Sequence, residues 1–371
     1  MKILFIFGTR PEAIKLAPLI VEFKKQPSRF EVKVCITSQH KEMLQQVINF
    51  FDIKIDYDLH IMEPNQTLFK ITSKIIERIE WVLDEFNPDL IFVQGDASSA
   101  FLGALCGFYK KIKVAHVEAG LRSFNKYAPF PEEVNRVLIS HIADFHFAPT
   151  KQAKENLIKE GITKNIWVVG NTVIDALFLT LKLIKKEEKK YEKFFSFLDF
   201  RKKVILVTGH RRESFGEPFK EICLAIKDLA EKFKDEIEIV YPVHLNPNVR
   251  KPVFEILKNK KNVHLIEPLS YQYLVWLLNK SYFVLTDSGG IQEEAPSLAK
   301  PVLVMREVTE RVEGIKSGTA KLVGTKKESI FKNAKRLLTD KSLYNKIAKA
   351  KNPYGDGKSS QRIVEIVRKL K

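Results

Sequence analysis

A chain of 371 residues is long enough for two domains of ordinary size with self-sufficient cores, so neither a metal nor a disulfide staple is required. With 45% apolar and 29% charged residues, a mean hydropathy of -0.15, and no apolar run near the ~18 residues of a membrane span, the composition excludes disordered, collagen-like and membrane-spanning classes and reads as a soluble cytoplasmic protein that lacks a signal peptide. The net charge of +17 suits a polyanion partner, yet only 14 of the 62 basic residues are arginines and the lysines scatter over nearly every predicted helix, which argues for a solvated surface and against nucleic acid.

In chain order, short apolar runs at 3–7, 32–36, 90–93 and 114–117 predict buried strands, each followed by a turn and a segment of helical period. Asp56-Tyr57-Asp58 has the spacing of a metal-binding pair but reads better as a turn. Glu132-Glu133 opens a helix after a proline-rich loop at 127–131. This series ends near Gly170-Asn171, and a long lysine-rich helix through 182–190 leads to a second series of strands at 204–207, 237–241, 263–266, 283–286 and 302–305, with a helix at 219–233 between the first two. Strands without alternating polarity, interleaved with helices, predict parallel sheets covered on both faces. The expected fold is therefore α/β, two doubly wound Rossmann-like domains (1–170 and 171–354) facing a cleft, with ligand beyond the carboxyl ends of the strands.

Chemistry-bearing residues fall at those ends. The first turn, Gly8-Thr9-Arg10, lacks the Gly-x-Gly-x-x-Gly of a dinucleotide site, and Gly357-Lys358-Ser359 lacks the upstream glycine of a P-loop. Asp287-Ser288-Gly289-Gly290 lies between a strand and a helix, where backbone N–H groups accept a phosphate; Glu294, one turn on, suits ribose hydroxyls, and the plain alternative has Ser288 as helix N-cap. Arg10 and Lys15 offer cations for the same diphosphate. Asp96, Glu118 and Glu132 offer carboxylates for proton chemistry, and His210 and His244 follow strands of the second series. Cys35, Cys106 and Cys223 have neither disulfide nor metal spacing and read as core thiols; no metal and no cofactor are expected.

Taken together, Gly8-Thr-Arg-Pro-Glu-Ala-Ile-Lys15, Gln94-Gly-Asp96, His116-Val-Glu-Ala-Gly-Leu-Arg122, Pro131-Glu-Glu-Val-Asn-Arg136, Thr208-Gly-His-Arg-Arg-Glu213, Asp287-Ser-Gly-Gly-Ile-Gln-Glu-Glu294 and Asn352-Pro-Tyr-Gly-Asp-Gly357 resemble, in order along nearly the whole chain, the non-hydrolysing UDP-N-acetylglucosamine 2-epimerases. The resemblance implies a glycosyltransferase-B type architecture, a homodimer, a last helix (355–371) that completes the first domain, and interconversion of UDP-N-acetylglucosamine with UDP-N-acetylmannosamine. It implies Asp96, Glu118, Glu132 and His210 as catalytic residues. Arg10, Lys15, Ser288, Gly289, Gly290, Glu294 and Arg311 would bind substrate, and Gln39, Glu132, Arg211 and His244 an activating second UDP-sugar. The C2 proton, next to an acetamido group and not a carbonyl, is poorly acidic, so elimination of UDP to 2-acetamidoglucal and re-addition is the expected route. A hydrolysing relative, an epimerase of a UDP-diacetamido-uronic acid and a glycosyltransferase remain the alternatives.

Overall fold

The computed structural model describes residues 1–38, 41–63 and 66–370. The chain forms two compact units, Met1–Leu179 with Tyr354–Lys371, and Thr180–Pro353. In the first, seven strands form one sheet: β1 (Lys2–Phe7), β2 (Glu31–Ile36), β3 (Tyr57–Asp58), β4 (Leu90–Gln94), β5 (Lys113–Val117), β6 (Phe145–Ala148) and β7 (Ile166–Val168), in the order β3-β2-β1-β4-β5-β6-β7 with every pair parallel. The second holds β8 (Lys203–Thr208), β9 (Ile237–Pro242), β10 (Val263–Ile266), β11 (Phe283–Thr286), β12 (Val302–Val304) and β13 (Ala320–Leu322), in the order β10-β9-β8-β11-β12-β13, again all parallel. Each is a doubly wound sheet that reverses its direction of growth once, between β1 and β4 and between β8 and β11.

All nine expected strands are present. Apart from edge strand β10 and the start of β2, their residues are buried on both faces, which is why most read as apolar runs: Leu4, Phe5 and Ile6 of β1 are fully enclosed, and Phe5, Phe92 and Phe147 stack across β1, β4 and β6 with centroids 5.0 and 6.1 Å apart. The four strands not expected are short or carry a polar residue. In β6, His146 sits inside the sheet, where burial pushes its imidazole down to about 4 and keeps it neutral. The turn expected around Asp56-Tyr57-Asp58 is instead the entry and body of edge strand β3, with Asp56 Oδ2 accepting from the Val34 amide at 3.0 Å and Asp58 Oδ1 from the Ser38 hydroxyl at 2.5 Å. Both carboxylates serve the fold there.

The long lysine-rich helix is also corrected. Helix Thr172–Ile184 passes through a 3-10 turn at Lys185–Glu187, and Glu187 leaves helical geometry (φ -129°, ψ 31°) before helix Glu188–Phe194 starts. The break turns Tyr191, Phe194 and Phe195 onto Tyr273, with Phe195 also stacked on Trp276 at 4.9 Å. The last helix, Ser359–Val367, lies in the first unit, where the Ser359 and Ser360 amides donate to the buried Asp175 carboxylate at 3.1 and 2.7 Å. A side-chain carboxylate thus caps the near-P-loop at Gly357-Lys358-Ser359, an arrangement that repels phosphate. Cys35, Cys106 and Cys223 are buried free thiols, all pushed up by burial, Cys106 to about 11 and Cys223 to about 12. Among the described residues no helix is long and apolar enough to cross a membrane.

Candidate active site

The charged residues of the first unit gather where β1 and β4 part. After β1, helix Arg10–Lys24 starts with Pro11 in its first turn, which puts Arg10 at the helix start and Lys15 on the second turn. Buried Glu12 latches this turn: its carboxylate accepts from the Gly8 and Thr9 amides at 3.1 and 2.8 Å and from the Ser99 hydroxyl at 2.8 Å. Ser99 lies just beyond Asp96, so the Arg10 and Asp96 turns are tied together. Burial pushes Glu12 up to about 7 against the pull of these hydrogen bonds.

Glu118, directly after β5, is 9% exposed and has φ 68°, a left-handed backbone that costs a glutamate on the order of 1 kcal/mol. Its Oε2 accepts from Lys15 Nζ at 2.5 Å and from Asn171 Nδ2 at 2.9 Å. Its Oε1 faces the Gly95 turn, 4.0 Å from where a Gly95 Cβ would stand. Two residues on, Gly120 (φ 89°) has no room for a side chain, since a Cβ would lie 2.1 Å from the Ala153 carbonyl oxygen. The Asp96 carboxylate, on the same Gly95 turn, is bonded by both Nε (3.1 Å) and Nη2 of Arg136, and the Asp96 carbonyl accepts from Asn135 Nδ2 at 2.9 Å. Arg136 and Asn135 belong to helix Glu132–Ile142, whose two leading glutamates have different tasks. Buried Glu133 accepts from the Ser123 and Phe124 amides and from Arg136 Nη1 at 3.0 Å, so it holds the preceding loop. Glu132, partly exposed, makes no side-chain hydrogen bond or ion pair among the described residues. The structure therefore gathers Lys15, Glu118 and Asp96 around one turn, with Glu132 on the helix that carries Asp96's partners.

Under this turn His116 bonds the Gly95 carbonyl through Nε2 at 2.7 Å, and burial pushes its imidazole down to about 3. Because the unfolded histidine binds a proton below about 6.5 and the folded one does not until about 3, its contribution to stability is present above that window and lost as pH falls through it. The folded protein is accordingly expected to lose stability between pH 6.5 and 4 more steeply than its His116→Gln variant, by about 1.4 kcal/mol per pH unit. Denaturant unfolding of both proteins across this range checks it; parallel curves would refute the assignment.

In the second unit the corresponding place lies between β8 and β11. Asp287, after β11, is 1% exposed, and its Oδ2 accepts from the His210 and Arg211 amides at 2.6 and 2.7 Å. Its Oδ1 lies 3.5 Å from His210 Nδ1, and the His210 ring stacks on His244 with centroids 5.3 Å apart. Burial first and the neighbouring His210 second push His244 down, with Asp287 opposing. Ser288 occupies the N-cap position of helix Gly289–Glu294, but its hydroxyl makes no cap bond, which corrects the plain capping role. The Arg311 guanidinium lies 3.5 Å from where a Gly289 Cβ would stand and donates through Nε to buried Glu293 at 2.6 Å. Glu294 is buried and accepts from the Tyr271 hydroxyl at 2.6 Å, with its Oε2 over Gly290. A cation, a histidine and a glycine-flanked helix start thus converge, an arrangement suited to a diphosphate. Gln39 lies outside the described residues, and among the described residues no cluster of histidine, cysteine and carboxylate side chains has the makings of a metal site.

Sequence reasoning did not single out Asn171, Arg136 or Asp287 as site residues. Arg136 could have been found four residues after Glu132, one helical turn away. Asp287 follows a strand whose pairing with β8 (Thr286 beside Thr208) carries it to His210, a neighbour that only the strand order reveals. Asn171 has no local signal.

Two doubly wound units with charged residues collected at their switch points define an α/β protein of the glycosyltransferase-B type. The sequence model of the UDP-N-acetylglucosamine 2-epimerase family matches residues 22–368. The UDP-N-acetylglucosamine 2-epimerase of Escherichia coli K12 is 52% identical over 372 residues, 99% of this chain and 98% of that protein. The crystal structure of the Neisseria meningitidis UDP-GlcNAc 2-epimerase bound to UDP-GlcNAc superposes with a TM-score of 0.93 at 50% identity over 100% of both chains, and that of Methanocaldococcus jannaschii in complex with UDP-GlcNAc and UDP with 0.83 at 37% identity over 99% of both. The chain belongs to the UDP-N-acetylglucosamine 2-epimerase family.

Proposed function

We propose that the protein interconverts UDP-N-acetylglucosamine and UDP-N-acetylmannosamine without net hydrolysis, as a cytoplasmic homodimer. The observation that carries the reading is the buried Glu118 carboxylate, held by Lys15 and Asn171 against the turn that bears Asp96. Inverting C2 requires proton transfer on both faces of the sugar, hence two proton-handling groups, and this turn has two carboxylates with different partners, a lysine and an arginine. In the proposed sequence one carboxylate removes the C2 proton as the C1–O bond to UDP breaks, leaving 2-acetamidoglucal and UDP. A proton then returns to the opposite face of C2 while a diphosphate oxygen rejoins C1. Glu132, without a side-chain partner among the described residues, is the third candidate for this traffic.

The first unit carries these carboxylates, and the second carries the nucleotide. There Arg311, Ser288 and the Gly289 and Gly290 amides hold the diphosphate, His210 faces the departing oxygen, and Glu294 takes ribose hydroxyls. Arg10 and Lys15 of the first unit are also assigned to substrate binding. Retaining the glycal and UDP until re-addition is what separates an epimerase from a hydrolase. Arg211 and His244, together with Gln39, are the positions we assign to activation by a second UDP-sugar. Three buried free thiols suit a reducing compartment.

Incubation with UDP-N-acetylglucosamine in deuterated water, without added metal or nicotinamide, tests the proposal by proton NMR. UDP-N-acetylmannosamine carrying deuterium at C2 is the expected product. Free N-acetylmannosamine and UDP would instead establish the hydrolysing reaction, and an unchanged spectrum would withdraw the substrate.

A further inference from the structure

We infer that Asn171 is the positioning residue for Glu118: its side-chain amide fixes which oxygen of the carboxylate meets the Gly95 turn. The inference rests on the reading of Glu118 as a proton-handling group. Every polar atom of Asn171 has a defined task. The residue is buried, Nδ2 donates to Glu118 Oε2 at 2.9 Å, Oδ1 accepts from the Val173 amide at 3.0 Å, and its own amide donates to the Tyr354 carbonyl at 2.7 Å. A flipped amide would set Oδ1 against the carboxylate and Nδ2 against an N–H, so the network permits one orientation only.

Lys15 and Asn171 both bind Oε2, and Oε1 is the oxygen aimed at the Gly95 turn. The placement of Asn171 depends in turn on chain topology. It directly precedes helix Thr172–Ile184, along which the chain leaves the first unit, and it is pinned to Tyr354, the residue at which the chain returns. Gly170 and Gly355 allow the two passing segments to approach, a Gly170 Cβ lying 3.3 Å from Gly355 Cα. The orientation of Glu118 is thus fixed by a residue more than fifty positions away that is itself held by the start of the closing segment. Among the described residues, the charged or titratable groups near the carboxylate include Lys15 from helix Arg10–Lys24, His116 on its own strand, neutral through burial, and Asp96 beyond Gly95, engaged by Arg136.

Asn171→Asp separates this role from a structural one, because an aspartate still accepts from the Val173 amide and still donates its own to Tyr354 but places a second carboxylate against Glu118. With glutamate labelled by 13C at the carboxyl, the Glu118 resonance is the one missing in Glu118→Gln, and its titration midpoint is expected to rise by about one pH unit or more in Asn171→Asp, through loss of a donor and gain of a like charge. The acid limb of the kcat profile moves by the same amount while KM stays within about threefold. Asn171→Ala, which removes the donor without adding charge, is expected to shift both in the same direction by less, and it decides the matter if the aspartate variant does not fold. A lowered melting temperature with an unmoved Glu118 midpoint would reduce Asn171 to a structural role and overturn the inference. Should the wild-type protein not turn over UDP-N-acetylglucosamine, the catalytic reading of Glu118 fails, yet the NMR titration still decides whether Asn171 governs the carboxylate.

Discussion

Glu118→Gln is expected to lower kcat for epimerisation by about 10³-fold, within the range that removal of a positioned proton-transfer group produces. Glutamine keeps the shape of the side chain and can still accept from Asn171, but it cannot take a proton from C2. The same change strips Lys15 of its counter-ion. The Lys15 side chain is 14% exposed and the Glu118 side chain 7%, so the pair is nearly enclosed, and removing one partner of a buried pair costs several kcal/mol in the extreme case. The loss of rate must therefore be read beside unfolding curves and UDP affinity. If the variant is folded, binds UDP within about threefold of wild type and exchanges the C2 proton with deuterated water about 10³-fold more slowly, the proton-transfer role stands. Wild-type exchange in a folded Glu118→Gln protein would remove Glu118 from the reaction and leave Asp96 and Glu132 to carry it.

The parts of the fold that position this site were legible for a physical reason. β1, β4, β5, β8 and β11 lie in the interiors of their sheets, with both faces covered, and so announce themselves as apolar runs ending in Gly8, Gly95, Glu118, Thr208 and Asp287. The short strands β3, β7 and β13 each bury too few residues to leave a pattern, and β6 is masked by His146. The site divides in the same way. Residues that follow strands could be named in advance, whereas their pairings could not, because Lys15 meets Glu118, and Asp287 meets His210, only once the strand order is known. Adjacent Glu132 and Glu133 make the limit plain: identical in type and both in the first helical turn, they differ in that one is buried against two loop amides and the other is not. No one-dimensional pattern separates them.

Asp287→Ala is expected to cost about 2–4 kcal/mol of stability and to weaken UDP binding by about 100-fold, for one reason. The Asp287 carboxylate is the acceptor for two successive amides, those of His210 and Arg211, in a turn that also rests on the Tyr241 hydroxyl through the Gly209 carbonyl. An alanine leaves both amides without their acceptor, at about 1–3 kcal/mol each where burial is complete. The turn must then move to find water, and His210 moves with it, away from Asp287 Oδ1 and out of its stack on His244. Asp287→Asn distinguishes scaffold from charge: an amide oxygen can still accept both N–H groups, so most of the stability returns, while the negative charge beside His210 Nδ1 does not. Calorimetric titration of both variants with UDP then separates the effects. Weak binding in the alanine variant alone marks Asp287 as an anchor for the turn; weak binding in both shows that the carboxylate charge beside His210 is needed as well. Wild-type affinity and stability in Asp287→Ala would show that the turn holds its shape unaided, and the placement of His210 would need another cause.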